Sequence, residues 1–166
     1  MASAKDVLLG QFAVSEMLFG KMTADLSDED YFKIPLPGTN HVAWLVGHVA
    51  VSEDRMVAAV CGTEPNTDEA TASRFVAGST CLADAASYPA RSQIDAMFRD
   101  ARANVVEKLK AFDDATWDDP SPEGWDKNFF PTLGTIWLMM GTHPFWHIGH
   151  ITVCRTALGK GGVLGM

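Results

Sequence analysis

The chain has 166 residues, 47% of them hydrophobic and 20% charged, which suits one sizeable core and excludes a disordered chain. Its formal net charge of -8 argues against a nucleic-acid partner, because a polyanion binder needs a basic surface to displace counterions. Three scattered cysteines, Cys61, Cys81 and Cys154, are too few for a disulfide framework and fit a reducing cytosol.

The first residues, Met1 to Asp6, carry Lys5, but Asp6, Gln11 and Glu16 interrupt any apolar run, so a secretory signal is not expected. No apolar run approaches the ~20 residues that span a bilayer. A cytoplasmic protein without a membrane or nucleic-acid partner is the expectation.

Prolines divide the sequence into four apolar-periodic segments. In the first, about 4–26, Leu8, Phe12, Ser15, Phe19, Met22 and Leu26 alternate steps of four and three, the stripe of a helix buried on one face. Ser27 and the acidic residues after it end that helix or open a short turn. The second segment, about 40–60, follows Pro37-Gly38-Thr39-Asn40, with Thr39 and Asn40 as N-cap candidates. From His41 to Val51 it is apolar almost all round, so it lies deep in the fold.

The stretch from Gly62 to Ala90 reads as a long connection, with a short helix over about 68–76 capped by Thr67. The third long helix is predicted over about 92–113 with Ser92 as its cap. Ile94, Phe98, Ala101, Val105, Leu109 and Phe112 form its buried stripe, and Arg99, Arg102, Glu107 and Lys110 are assigned to the opposite face. The acidic stretch around Asp113 to Asp119 reads as a solvated loop. The fourth helix, about 132–158, is closed by Gly159. No strand-like alternation or repeat appears. The predicted architecture is all-α, a four-helix bundle in a single domain over 1–166, with a long connection between the second and third helices.

One cluster carries chemistry. In His143-Pro-Phe-Trp-His147-Ile-Gly-His150, offsets of four and three put three imidazoles on one helix face. His48 sits in the least polar part of the second helix. Imidazoles are costly inside a bundle, and gathering His48, His143 and His147 makes physical sense around a cation that accepts their neutral lone pairs. Three protein ligands leave coordination positions open, as in a catalytic site. The competing reading is three unrelated core or cap histidines, each hydrogen-bonded. Pro144 cannot donate to the carbonyl of Met140, so it is expected to bend or loosen the helix beside His143, and Gly141 gives the backbone room.

Trp44-Leu-Val-Gly-His48, taken with the His143–His150 run, resembles the DinB-like superfamily of bacterial metal-binding bundles. The resemblance extends over nearly the whole chain, including Pro37-Gly38 and Ala77-Gly78-Ser79. It implies that His48, His143 and His147 hold a divalent metal, zinc or nickel being usual, and that the protein is a homodimer joined through outer helix faces. The family often has Gln where this chain has His150, which makes His150 a fourth ligand, a hydrogen-bonding stand-in for the amide, or, as favoured here, a group supporting a ligand from behind. Characterised relatives include metal-dependent transferases and isomerases that use a low-molecular-weight thiol. The implied function is thus a metal-dependent thiol S-transferase or isomerase, or a hydrolase with metal-activated water. The alternative is a non-catalytic, stress-related metal- or ligand-binding protein, and haem binding through paired histidines is a remote third option.

Other residues carry less. His41 lies seven residues from His48, roughly 10.5 Å along the axis, too far to share an ion. Arg55 is a candidate for a substrate carboxylate, with a surface ion pair as the plainer reading. Glu53, a candidate base, lies ~140° from His48 around an ideal helix. The cysteines read as buried thiols, and Trp44, Trp137 and Trp146 as core or pocket wall.

Overall fold

The computed structural model describes residues 2–163. Among them the regular structure is helical: α1 (Ala4–Thr23), α2 (Asp28–Phe32), α3 (Val42–Cys61), α4 (Glu69–Ala72), α5 (Arg91–Ala111) and α6 (Leu133–Ala157), with two short 3-10 turns and no strand. The four long helices form a ring of contacts, α3 against α5 and α6, and α1 against the same two. Two apolar clusters fill it. One gathers Phe19, Val42, Leu45, Val49, Phe75, Ile94, Phe98 and Ile151. The other gathers Leu8, Phe12, Val57, Leu109, Ile136, Trp137 and Met140.

Helix ends differ from the predicted ones for identifiable reasons. The first helix stops at Thr23 rather than near residue 26, because Ser27 and Asp30 form a capping box that starts α2. The freed carbonyls of Thr23 and Leu26 accept from Arg91, at 2.8 and 2.5 Å, and that of Met22 from Arg155, at 2.7 Å. His41, not Thr39 or Asn40, caps α3, its Nδ1 accepting the Trp44 N–H at 2.9 Å. Gly62, with φ 65°, closes that helix in the left-handed conformation.

Asp68 rather than Thr67 caps α4. Thr67 is occupied otherwise: its N–H and that of Asn66 donate to the buried Asp54 carboxylate, at 2.8 and 3.1 Å, fastening this loop to α3. Helix α5 begins at Arg91, one residue before the expected cap Ser92, and the Ala90 N–H donates to Gln93 Oε1 at 2.9 Å. Thr132 and Thr135 form the capping box of α6.

Helix α6 runs unbroken through Pro144. Gly141 serves the approach of α1: a Cβ there would stand 2.5 Å from Gln11 Oε1 and 2.7 Å from Leu8 Cδ2.

Arg102 corrects the sequence reading. It is not on a solvated face but 1% exposed, and it forms a bidentate ion pair with the equally buried Glu53. Its Nη1 donates to Ser15 Oγ at 2.7 Å and to the Phe12 carbonyl at 2.6 Å. The rings of Phe12 and Phe98 lie 4.9 and 5.3 Å from the guanidinium. Glu53 is therefore committed to this pair, on the side of α3 away from His48.

Candidate metal centre

Helix α3 contributes His48 from its middle, and α6 contributes His143 and His147 one turn apart. The α3–α6 packing brings the three rings together. His48 Nε2 lies 3.2 Å from His143 Nε2, and His147 Nε2 lies 2.8 Å from the same atom. One nitrogen from each of the three falls within 4.8 Å of the others, and all three residues are buried. The spacing on α6 and the separate imidazole on α3 meet as the sequence pattern suggests.

Burial keeps these rings neutral. It depresses His143 to about 4, with His48 adding to the effect. It depresses His147 to about 3, followed by the influence of His143, His48 and His150. Burial also lowers His48, against the opposing pull of the Phe75 carbonyl. A neutral imidazole offers one N–H and one lone pair.

His48 Nδ1 faces the Phe75 carbonyl at 2.7 Å, so Nδ1 carries the proton and Nε2 presents its lone pair to His143. The proton count then falls short at the centre. His143 Nε2 touches both neighbours, and one proton on it can serve only one of them. If the proton sits on His147 instead, the His48–His143 contact sets lone pair against lone pair. In every neutral arrangement one contact is unmet, and His147 Nδ1 is itself buried without a partner. Buried polar atoms are rarely left so. A cation at the convergence point satisfies all three Nε2 lone pairs together, so these residues fit a divalent metal and can hold one.

The surroundings are aromatic. The Trp44 ring stacks on His48, with centroids 4.7 Å apart and planes 9° from parallel, and its Nε1 donates to Ser79 Oγ at 3.0 Å. Trp146, 56% exposed, stands edge-on to His143.

His150 is exposed and lies outside the three-nitrogen cluster, its ring centroid 5.4 Å from that of His147. Together with Asn40, Leu45, Val153 and Cys154 it lines a small cavity of about 190 Å³.

Arg55 does not join the histidines; its Nη2 pairs with Glu69 at 2.7 Å on the surface. His41 is buried as a helix cap and does not belong to the cluster. Cys154 is buried as expected, but Cys81 is only partly buried and Cys61 is exposed. Burial raises all three thiols, Cys154 to about 11, so none is an activated nucleophile.

Two supports of the site escaped the sequence reading. The Phe75 contact is made by a main-chain carbonyl, which leaves no trace in residue type. Ser79 matters only through Trp44. No helix among the described residues is long and apolar enough to cross a membrane.

No curated protein matches this chain. Among solved structures, a conserved protein from Enterococcus faecalis is similar in fold, with a TM-score of 0.77 at 14% identity, covering 96% of this chain and 100% of that one. The model of the DinB superfamily matches residues 11–153. That match takes in His48, His143 and His147, and the chain belongs to the DinB superfamily.

Proposed function

We propose that the chain is one four-helix-bundle domain over 1–166 that binds a divalent metal, zinc or nickel, through His48, His143 and His147. We propose further that it is a metal-dependent enzyme acting on a small molecule with a low-molecular-weight thiol or a water as nucleophile. The observation that carries this reading is the convergence of three buried Nε2 atoms whose protons cannot satisfy one another. When bound, a divalent ion with three neutral protein ligands supplies Lewis acidity and lowers the pKa of a thiol or water at an open position.

The chain's own groups prepare that position. His48 is held by Phe75 and Trp44. His143 and His147 are fixed on one helix face, and burial keeps all three imidazoles available as neutral donors. His150 supports His147 from the exposed side, and Arg55 stays in its ion pair with Glu69. We place the protein in the cytoplasm. A homodimer through the outer faces of α1 and α6 would cover the exposed Val7, Val14, Met17, Leu138 and Val153, and light scattering on the purified chain reads this as twice the monomer mass.

Cobalt substitution tests the catalytic reading. Added low-molecular-weight thiols are expected to shift the cobalt absorption bands of the wild-type chain, and His147→Ala to abolish metal loading and activity together. Cobalt bands indifferent to every thiol, with no metal-dependent hydrolysis, would favour the non-catalytic binding protein.

A further inference from the structure

We infer that Gly47 and Phe75 form a clasp by which the connection between α3 and α5 sets the tautomer and orientation of His48. The consequence for metal affinity rests on the proposed metal centre; the clasp itself concerns only the chain's own atoms.

Gly47 sits in the middle of α3, where glycine destabilises a helix relative to alanine. Its backbone is ordinary helix, so no turn requires it. The reason lies across the contact. A Cβ on Gly47 would stand 2.4 Å from two carbons of the Phe75 ring and 2.8 Å from a third. No such contact survives without displacement, and Phe75 is fully buried. The ring is seated directly on the α3 backbone, one residue before His48.

That seat aims the Phe75 carbonyl. The carbonyl accepts from His48 Nδ1 at 2.7 Å, which places the imidazole proton on Nδ1 and leaves Nε2 as the lone pair facing His143. The same segment grips the ring from its face. Ser79 Oγ accepts from Trp44 Nε1 at 3.0 Å and donates to the Arg74 carbonyl at 3.1 Å, and Trp44 stacks on His48. A short segment of the connection, 74–79, therefore fixes both the edge and, through Trp44, the plane of one imidazole. His143 and His147 receive no such help from this segment. Ordering of the segment and competence of His48 are two sides of one equilibrium, so each stabilises the other.

Nitrogen NMR of histidine-labelled, chelator-treated full chain reads the tautomer, and cobalt titration of the same samples reads affinity. In the wild type His48 is expected as the Nδ1–H tautomer. Gly47→Ala pushes the Phe75 ring off its seat and is expected to mix the tautomers and weaken cobalt binding about 10–100-fold, the usual effect of losing a partner behind a ligand. Gly47→Ala with Phe75→Leu, which relieves the clash, is expected to recover most of both. Should Gly47→Ala fail to fold by circular dichroism, Phe75→Ala keeps the carbonyl, adds no clash, removes only the ring that places it, and is expected to show the same two losses.

A wild-type His48 in the Nε2–H form overturns the clasp. So does a folded Gly47→Ala or Phe75→Ala chain with unchanged tautomer and cobalt affinity. A wild type that shows the Nδ1–H tautomer, and loses it in the variant, yet takes up no cobalt leaves the clasp standing and overturns the metal centre instead.

Discussion

Two of the buried polar groups on helix α3, His48 and Glu53, lie five residues apart on different faces, and the structure treats them in opposite ways. Glu53 meets Arg102, and that guanidinium also finds Ser15, the Phe12 carbonyl and two aromatic rings. Donors and acceptors match, and charge cancels within the network. His48 meets His143 and His147, and there no placement of the ring protons satisfies both contacts. A closed polar network stabilises and specifies the fold in its own right. An open one, buried nearly as deeply, is tolerated because neutral imidazoles cost less to bury than charges, and a metal ion would complete it. The difference separates scaffold from receptor more sharply than burial does.

Removing half of the closed pair is expected to have the largest effect on stability. Arg102→Met leaves the Glu53 carboxylate buried and unpaired, and breaking such a pair costs about 3–5 kcal/mol. Chemical denaturation measures this, and a loss below about 1 kcal/mol would mean that the network does not hold the fold. Glu53→Gln with Arg102→Met is expected to regain much of that loss.

Cutting the open cluster is expected to do the reverse. His143→Ala removes the imidazole that touches both others, so metal binding is lost, while the stability of the chelated protein changes far less than in Arg102→Met. Equal destabilisation by the two variants would erase the contrast between the two networks.

Acid is expected to act next. His41, His143 and His147 are held neutral in the fold, at about 4, about 4 and about 3, against an ordinary value of 6.5. Below roughly pH 6.5 the unfolded chain takes up protons that the native state refuses. The stability these groups contribute is therefore complete above that pH and lost as pH falls through the interval toward about 4 for His41 and His143 and about 3 for His147. Thermal unfolding of metal-free protein across that range checks it, and His143→Ala with His147→Ala flattens the slope to the part due to His41 and His48, which burial also lowers. The smallest effect is expected from Arg55→Ala, whose exposed pair with Glu69 contributes at most about 1 kcal/mol and whose loss leaves metal affinity unchanged.

The sequence made the open cluster more legible than the closed one. Histidines at offsets of four and three stand out because imidazole is rare on an apolar helix, and chemistry supplies a reason for gathering them. Residue type alone places Arg102 outward, because arginine is mostly exposed. Yet Phe98, Arg102, Val105 and Leu109 step by four, three and four, and Val46, Val49, Glu53, Val57 and Val60 keep a similar rhythm. An arginine and a glutamate on the buried stripes of two helices signal a buried pair, and periodicity outweighs residue type there.

The Phe75 carbonyl lay beyond any such reading, since main-chain acceptors are placed by tertiary packing alone. Cap identities also depended on competing partners: Thr67 was taken by Asp54, and His41 reached the free N–H of Trp44 before its more usual rivals.

The central claim is that three imidazoles from α3 and α6 converge on one metal ion. X-ray absorption at the metal edge of the untagged chain, loaded to one equivalent of zinc, tests it most directly. Scattering from three imidazoles is expected in the wild type, and loss of the bound zinc in His48→Ala. An ion bound at full occupancy with the same imidazole count in both would contradict it.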